Sequence, residues 1–409
     1  MNSQAYRCAC WLLFCALLSP ALAAPADSNP LTLPRFESIG VDQIPRGVIA
    51  SMAQDRAGFL WLATGNGLVR YDGYRFRPQE RDSSDPLQRN LGWIRAMWSA
   101  RDGRLWIGTE SDGLAVYDPK TARVTLYPAE GSARRPSPTI FAMAESADGT
   151  LWVGSRGGGI DEVNTSSGSI RQHRHGPQAG SLPDDRVEAL LVDRDGTLWV
   201  GSWQGLSRRQ PGADRFEQLV VKGLPAGSRV QALLQTTDGG LWVGLQSGAL
   251  LRLDPATGQV RLLVSGAAAG AAGEVTQLLE TPDGRIWVGR AKGLALHHLD
   301  GSLLRLLQHD PRQPDGLAGN HVTSLLQDQA GWVWIGGFGL GLQRHNPANL
   351  AFRVRSADLQ AGSPLADADV RALLRLDTGE IWAASQTTGV AVMDGALRVI
   401  GGLPGQTAH

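Results

Sequence analysis

Eleven side chains at recurring positions have the types that bind polar ligands. Asn66, Arg156, Trp203, Gln246, Arg290, Lys292, Phe338 and Gln386 fall within a few residues after a motif tryptophan. Arg186, Arg229 and His321 fall just before an apolar run that opens a repeat. Arg and Gln offer forked hydrogen bonds and Trp offers a stacking face, so the set suits an anionic or sugar ligand. Taken singly, each also reads as ordinary loop decoration.

Other chemistry is poorly served. No Gly-x-Ser-x-Gly elbow and no phosphate-cradling Gly-x-x-x-x-Gly-Lys run occurs. Asp193-Arg194-Asp195-Gly196 opens like a calcium loop, but Gln204 stands where the twelfth-position Glu belongs. His173 and His175, and the pair His297-His298, lack a third ligand at a fixed spacing and read as loop histidines. Asp112 and Asp369 are isolated acids. The expectation is no catalytic residue, no metal and no cofactor.

The elements that must carry these residues repeat. Trp61, Trp106, Trp152, Trp199, Trp242, Trp287, Trp334 and Trp382 lie 43 to 48 residues apart, a period near 46. Around Trp199 the unit reads apolar Val187–Val192, the turn Asp195-Gly196, a second strand Thr197–Val200, Gly201, a break at Gln204-Gly205, and a third strand from Leu206. Short runs bounded by Gly and Asp are strands. Arg123–Tyr127, Arg215–Val220, Gln259–Leu263 and Leu303–Leu307 supply outer strands. Such a period, at four strands per unit, predicts an all-β propeller. Eight repeats form either a seven-bladed ring plus one extra repeat or an eight-bladed ring. Arg35–Ile39 precedes the first repeat as a lone strand able to complete the last blade. With Leu397–Ile400 also offered, either closure leaves one surplus outer strand.

The recurring tryptophans are expected in the core. Trp203 sits off this register in a loop and is the better site candidate; Trp93, Trp98 and Trp332 read as packing. Glycine recurs two residues past most of the motif tryptophans (Gly108, Gly154, Gly201, Gly244, Gly289, Gly336) and again six or seven past all of them. Both positions read as close approaches of backbone.

Composition sets the class of partner. Lys and Arg number 39 and so do Asp and Glu. No strong field draws the chain to nucleic acid. Met1–Ala24 has the pattern of a secretory signal, with cleavage near Ala23, so the domain proper is 25–409 and the expected compartment is the periplasm. All three cysteines (Cys8, Cys10, Cys15) lie in that segment. The remaining chain is expected to have no disulfide, so packing alone must stabilise it.

The repeat V-x-A-L-L-x-D-x-D-G-x-L-W-V-G-S-x-x-G-L, with a connector such as Asp310-Pro311-Arg312-Gln313-Pro314-Asp315-Gly316-Leu317, resembles the two-component-regulator propeller repeat. Its opening copy, Gln54 to Thr64 continuing through Gly67 to Gly73, looks like that family's first blade. The resemblance runs from Pro34 to Ile400. It implies the periplasmic sensor part of a hybrid histidine kinase or diguanylate cyclase. Family members commonly carry two seven-bladed rings, a β-sandwich, a membrane helix and a cytoplasmic output domain. No later apolar span, kinase box or cyclase signature is written before His409, so the expectation is a truncated or stand-alone input part.

The functional expectation is ligand sensing of a small molecule or oligosaccharide at one mouth of the ring, coupled to a kinase or cyclase, with a homodimer allowed. The alternatives are a protein-binding scaffold, or a propeller lyase or glycosidase, which needs convergent carboxylates at the mouth.

Overall fold

Each repeat is built outward from its hairpin turn. In the fourth, Asp193 Oδ1 accepts the N–H groups of Asp195 (3.0 Å) and Thr197 (2.9 Å), and Gly196 adopts a φ of 81°. This turn joins Val187–Val192 to Leu198–Ser202 in antiparallel register. The chain reverses again into Gly205–Arg209, and Glu217–Gln218 closes the outer edge. The computed structural model describes residues 34–40, 42–44, 47–79, 91–127, 137–220, 227–265, 273–313, 315–347, 365, 369–395, 397 and 399–404. The secretory signal and the lead that follows it lie outside these residues, as does most of the Ala/Gly stretch before Gly273. Eight four-stranded antiparallel sheets are present.

The two recurrent glycines do different work. The later one, six or seven residues past the tryptophan, turns the chain at positive φ in every repeat, for example 109° at Gly205. The earlier one has ordinary φ and makes room for the next blade. A Cβ on Gly108 would lie 2.5 Å from Ile140, on Gly154 2.7 Å from Val187, and on Gly201 2.6 Å from Val230. On Gly336, in the seventh repeat, it would lie 2.7 Å from Ile49, in the first.

That last contact closes a ring of seven. The same joint is stapled by hydrogen bonds used elsewhere in the ring. Gln329 N–H donates to Gln54 Oε1 at 2.8 Å, as Arg194 N–H does to Gln235 Oε1 at 3.0 Å. Thr323 Oγ1 donates to Ile49 O at 2.5 Å, as Thr276 Oγ1 does to Val322 O at 2.6 Å. Blade seven takes its own strands His321–Gln327, Val333–Phe338 and Gly341–His345, and Glu37–Ile39 from the start of the chain as its outer edge. Arg344 Nε reaches Glu37 at 2.9 Å across that seam.

The eighth sheet, Val370–Arg375, Ile381–Ser385, Gly389–Met393 and Val399–Pro404, stands outside the circle. All six residues of its inner strand are exposed, and Trp382 is only half-buried. The seven ring indoles are buried, none more than 5% exposed. Each removes about 150–250 Å² from water, a gross gain of about 4–6 kcal/mol.

The expected surplus outer strand does not exist. Blade seven borrows the N-terminal strand, and the C-terminal strand belongs to the eighth sheet. The outer strand expected over Arg215–Val220 shrinks to Glu217–Gln218. Phe216 leaves the ladder to pack into the seam of blades three and four with Trp152, Leu182 and Val187.

Candidate functional site

The loops after the tryptophan strands and the connectors entering the inner strands share one face of the ring. Trp203 N–H donates to Arg186 O, Arg156 N–H to Thr139 O and Gln246 N–H to Arg229 O, all at 3.0–3.2 Å. Every inner strand also carries a bulge one residue in, at Ala50, Arg95, Phe141, Glu188, Gln231, Thr276 and Thr323 in the ring. A bulge re-aims its side chain. These seven form a crown of bulge positions, and those of blades two to four meet the loops: Arg95 meets Glu110, Phe141 meets Arg156 and Glu188 meets Trp203. In blades six and seven the crown residue is a threonine spent on stapling the next blade, and in blade one it is alanine. Blades two to four carry Arg, Phe and Glu.

Glu188 is the hub. Its side chain is 5% exposed. Arg229 donates to it through Nε and Nη2 (both 2.5 Å), Arg156 through Nη2 (2.7 Å), and Trp203 through Nε1 (3.1 Å). Burial pushes its carboxyl up, but the hydrogen bonds from Arg229, Trp203 and Arg156 outweigh this and hold it below the usual carboxylate range. Arg186 and Arg229 lie 4.2 and 4.3 Å from the Trp203 ring centroid. Arg186 is itself fixed bidentately by Asp184, whose pKa its hydrogen bonds lower.

The arc continues through blades three and two. Arg156 lies 4.0 Å over the Phe141 ring, and Arg95 lies 5.6 Å from the same ring and 4.8 Å from Trp93. Arg95 pairs with Glu110 at 2.6 Å. Trp93 stacks at 6.1 Å on Phe338 of blade seven, reaching across blade one, where Ala50 and Gly65 leave room. His321 packs 4.9 Å from Phe338. Four guanidiniums thus face three carboxylates along a band of aromatic rings, with Asp112 and Asp185 on the same loops and connectors.

Of the eleven expected residues, Arg156, Arg186, Trp203, Arg229, His321 and Phe338 join this arc. Trp203 is not a free stacking platform, because two guanidiniums already lie over it. Arg290 is on the same face but 2% exposed, its Nη1 donating to Gly248 O (3.0 Å) and Gly273 O (3.1 Å). Burial pulls its pKa down to about 10. It ties blade five to blade six rather than facing a ligand. Asn66, Gln246 and Lys292 are exposed and make no side-chain hydrogen bond to the arc. Gln386 is out of place altogether: it lies on the eighth sheet and accepts from Arg371 at 2.7 Å.

Sequence reasoning missed Trp93, Arg95, Phe141 and Glu188. The signal was present, since each of the last three is the second residue of its inner strand, after Ile94, Ile140 and Val187. The metal readings do not assemble. Asp193 spends both oxygens on its turn and on Trp199 Nε1 (2.7 Å). His173 is buried against Glu162 at 2.8 Å, and His297 is buried with Nδ1 at Gly301 O (3.1 Å). Among the described residues no group of three metal-binding side chains converges.

This architecture, four-stranded blades around a channel with the first strand clasped into the last blade, defines a seven-bladed β-propeller. The two-component regulator propeller family model matches residues 135–157, 181–204 and 316–339, and those stretches are repeats of that family. Curated protein sequences give no match. Among solved structures, the extracellular domain of a Bacteroides thetaiotaomicron protein described as a hybrid two component system, BT3049, superposes with a TM-score of 0.74 at 20% identity, over 90% of this chain and 49% of that one. The extracellular domain of BT4673 from B. thetaiotaomicron superposes with a TM-score of 0.65 at 22% identity, over 88% and 46%. This chain spans about half the length of those two. A virginiamycin B lyase from Staphylococcus aureus shares the fold at a TM-score of 0.57 and 12% identity, over 76% and 99%. At these identities the likeness is one of fold. No helix among the described residues is long and apolar enough to cross a membrane.

Proposed function

We propose that this propeller is the periplasmic input part of a signalling receptor and that the arc at its mouth binds an anionic small molecule or acidic oligosaccharide. The Glu188-centred cluster carries this reading: guanidiniums held in fixed poses by carboxylates and rings, a ready-made set of forked donors. Coupling to a kinase draws support from the repeat family and from neighbours described as two-component systems, with a cyclase as the other output the repeat family suggests. The ligand shifts the output by binding one state of the receptor better than another.

Binding is favoured over catalysis because the Glu110, Asp184 and Glu188 carboxylates are engaged by arginines. A scaffold role draws support from the eighth sheet, whose bare inner strand exposes Leu373 and Leu374. We read that face as the start of a second ring in a longer protein.

Calorimetry with acidic and neutral oligosaccharides tests the mouth. The acidic member of a matched pair should bind, and Arg156→Gln should weaken it about tenfold. Equal binding of the neutral member, or no effect of the substitution, would count against this reading.

A further inference from the structure

The opposite face of the ring carries a second, unrelated cleft. It is a groove of about 580 Å³ in the seam of blades four and five, between the hairpin turns at Asp195 and Asp238. Ligand pockets commonly occupy about 300–1,000 Å³. Three guanidiniums line it, from Arg194, Arg252 and Arg261, with three carboxylates: Asp238, Asp195, and Asp254, which accepts the Ala256 N–H of its own turn at 2.9 Å. The Arg194 guanidinium donates to Thr237 O (3.0 Å) and the Arg261 guanidinium to Asp300 O (2.5 Å). Neither forms an ion pair among the described residues, although Asp300, held low by its Ser302 hydrogen bonds, also feels the Arg261 charge. Arg252 pairs with Asp238 at 2.6 Å, yet its Nε–H is buried with no acceptor.

Blade five alone among the seven has no side chain two positions before its motif tryptophan, where Phe59, Arg104, Thr150, Thr197, Arg285 and Trp332 stand in the others. In blades one and seven the residue two positions before the motif tryptophan is aromatic, and it covers the arginine opposite that tryptophan. Arg70 lies 4.5 Å over Phe59, and Arg344 lies 4.4 Å over Trp332. The corresponding arginine in blade five is Arg252, paired in register with Trp242. The covering residue there is Gly240, and no ring lies over Arg252. Gly240 has ordinary φ, and a Cβ placed on it would meet the Arg252 guanidinium at 2.5 Å. The arginine lies against bare backbone at Gly240, with the open groove beside it.

We propose that this groove binds a small aromatic carboxylate. The ligand's ring takes the place over Arg252 that Phe59 and Trp332 hold over their arginines. Its carboxylate accepts from the Arg194 and Arg261 guanidiniums. A cation over a ring face and a forked guanidinium–carboxylate pair are the two interactions such a molecule offers together.

Calorimetry and thermal melting on the wild-type chain with benzoate and indole-3-carboxylate test this, with acetate and benzyl alcohol as controls. Both aromatic carboxylates should bind and raise Tm, each at least about tenfold more tightly than either control. Gly240→Phe, which supplies the chain's own ring, should abolish the response. Arg261→Gln, an exposed change that leaves the core intact, should weaken it about tenfold. Arg156→Gln at the mouth should leave it unchanged, which separates this site from the mouth. Failure of both aromatic carboxylates to bind, binding no tighter than that of acetate, or an undiminished response in Arg261→Gln would overturn the proposal.

Discussion

Asp193 holds its hairpin with one oxygen and the Trp199 indole with the other, and the same arrangement recurs at Asp55 with Trp61 and Asp328 with Trp334, all at 2.7 Å. In blades five and six threonine stands in its place, and the Trp242 and Trp287 Nε1–H groups are buried without an acceptor. Asp193→Ala should therefore cost about 2 kcal/mol, because it orphans an indole and two turn amides. Thr236→Ala should cost about half that, since its indole has no bond to lose. Denaturant titration of both variants measures the difference. Glu188 makes a second prediction. Its folded pKa is depressed, so its stabilisation is complete above its unfolded pKa, about 4.3, and is lost as pH falls through the folded value. Glu188→Gln should destabilise the ring by about 2 kcal/mol at pH 7, discounted because Arg156 is partly exposed. The gap between variant and wild type should be constant from pH 7 to about 5 and should close below about 4.

The blade is the unit in which most of the sequence was legible. Apolar runs, Asp-Gly turns and the tryptophan period placed the inner, middle and third strands nearly residue for residue, because each is bounded by a residue with a local backbone reason to be there. The two glycines looked alike in the sequence but answer to different constraints, one to φ and one to the neighbouring sheet. Gly336→Val should cost more than about 2 kcal/mol by driving a side chain into Ile49. The equivalent Ala384→Val, on the eighth sheet with no blade packed against it among the described residues, should stay within about 0.5 kcal/mol. Melting curves of the pair test whether crowding comes from the next blade. The outer strand at Glu217–Gln218 was misjudged because Phe216 reads as strand locally but is claimed by an inter-blade gap. The site was half legible: loop positions follow from the repeat, whereas the bulge that turns Arg95, Phe141 and Glu188 to the mouth leaves no mark in composition. Nor could spacing tell that Arg290 faces inward or that two arginines cover Trp203.

At the scale of the whole molecule, the mouth depends on which blade meets which. Trp93 of blade two reaches Phe338 of blade seven only if blade one is flanked by both, and the arc is continuous only in a wheel of seven. An eight-bladed closure would set the eighth sheet between Phe338 and blade one and would pair the N-terminal strand with Gly389–Met393. It would also bury Val370, Leu373 and Leu374, which lie exposed on the eighth sheet. Cysteines engineered at Glu37 and Arg344, cross-strand partners at the clasp, decide between the two in a chain whose native cysteines are confined to Met1–Ala24. The double variant, oxidised at low protein concentration, should form an intramolecular disulfide in nearly every molecule and should melt at a higher temperature than its reduced form. A pair that stays reduced, or that links only between molecules, would contradict the seven-bladed wheel and the mouth built upon it.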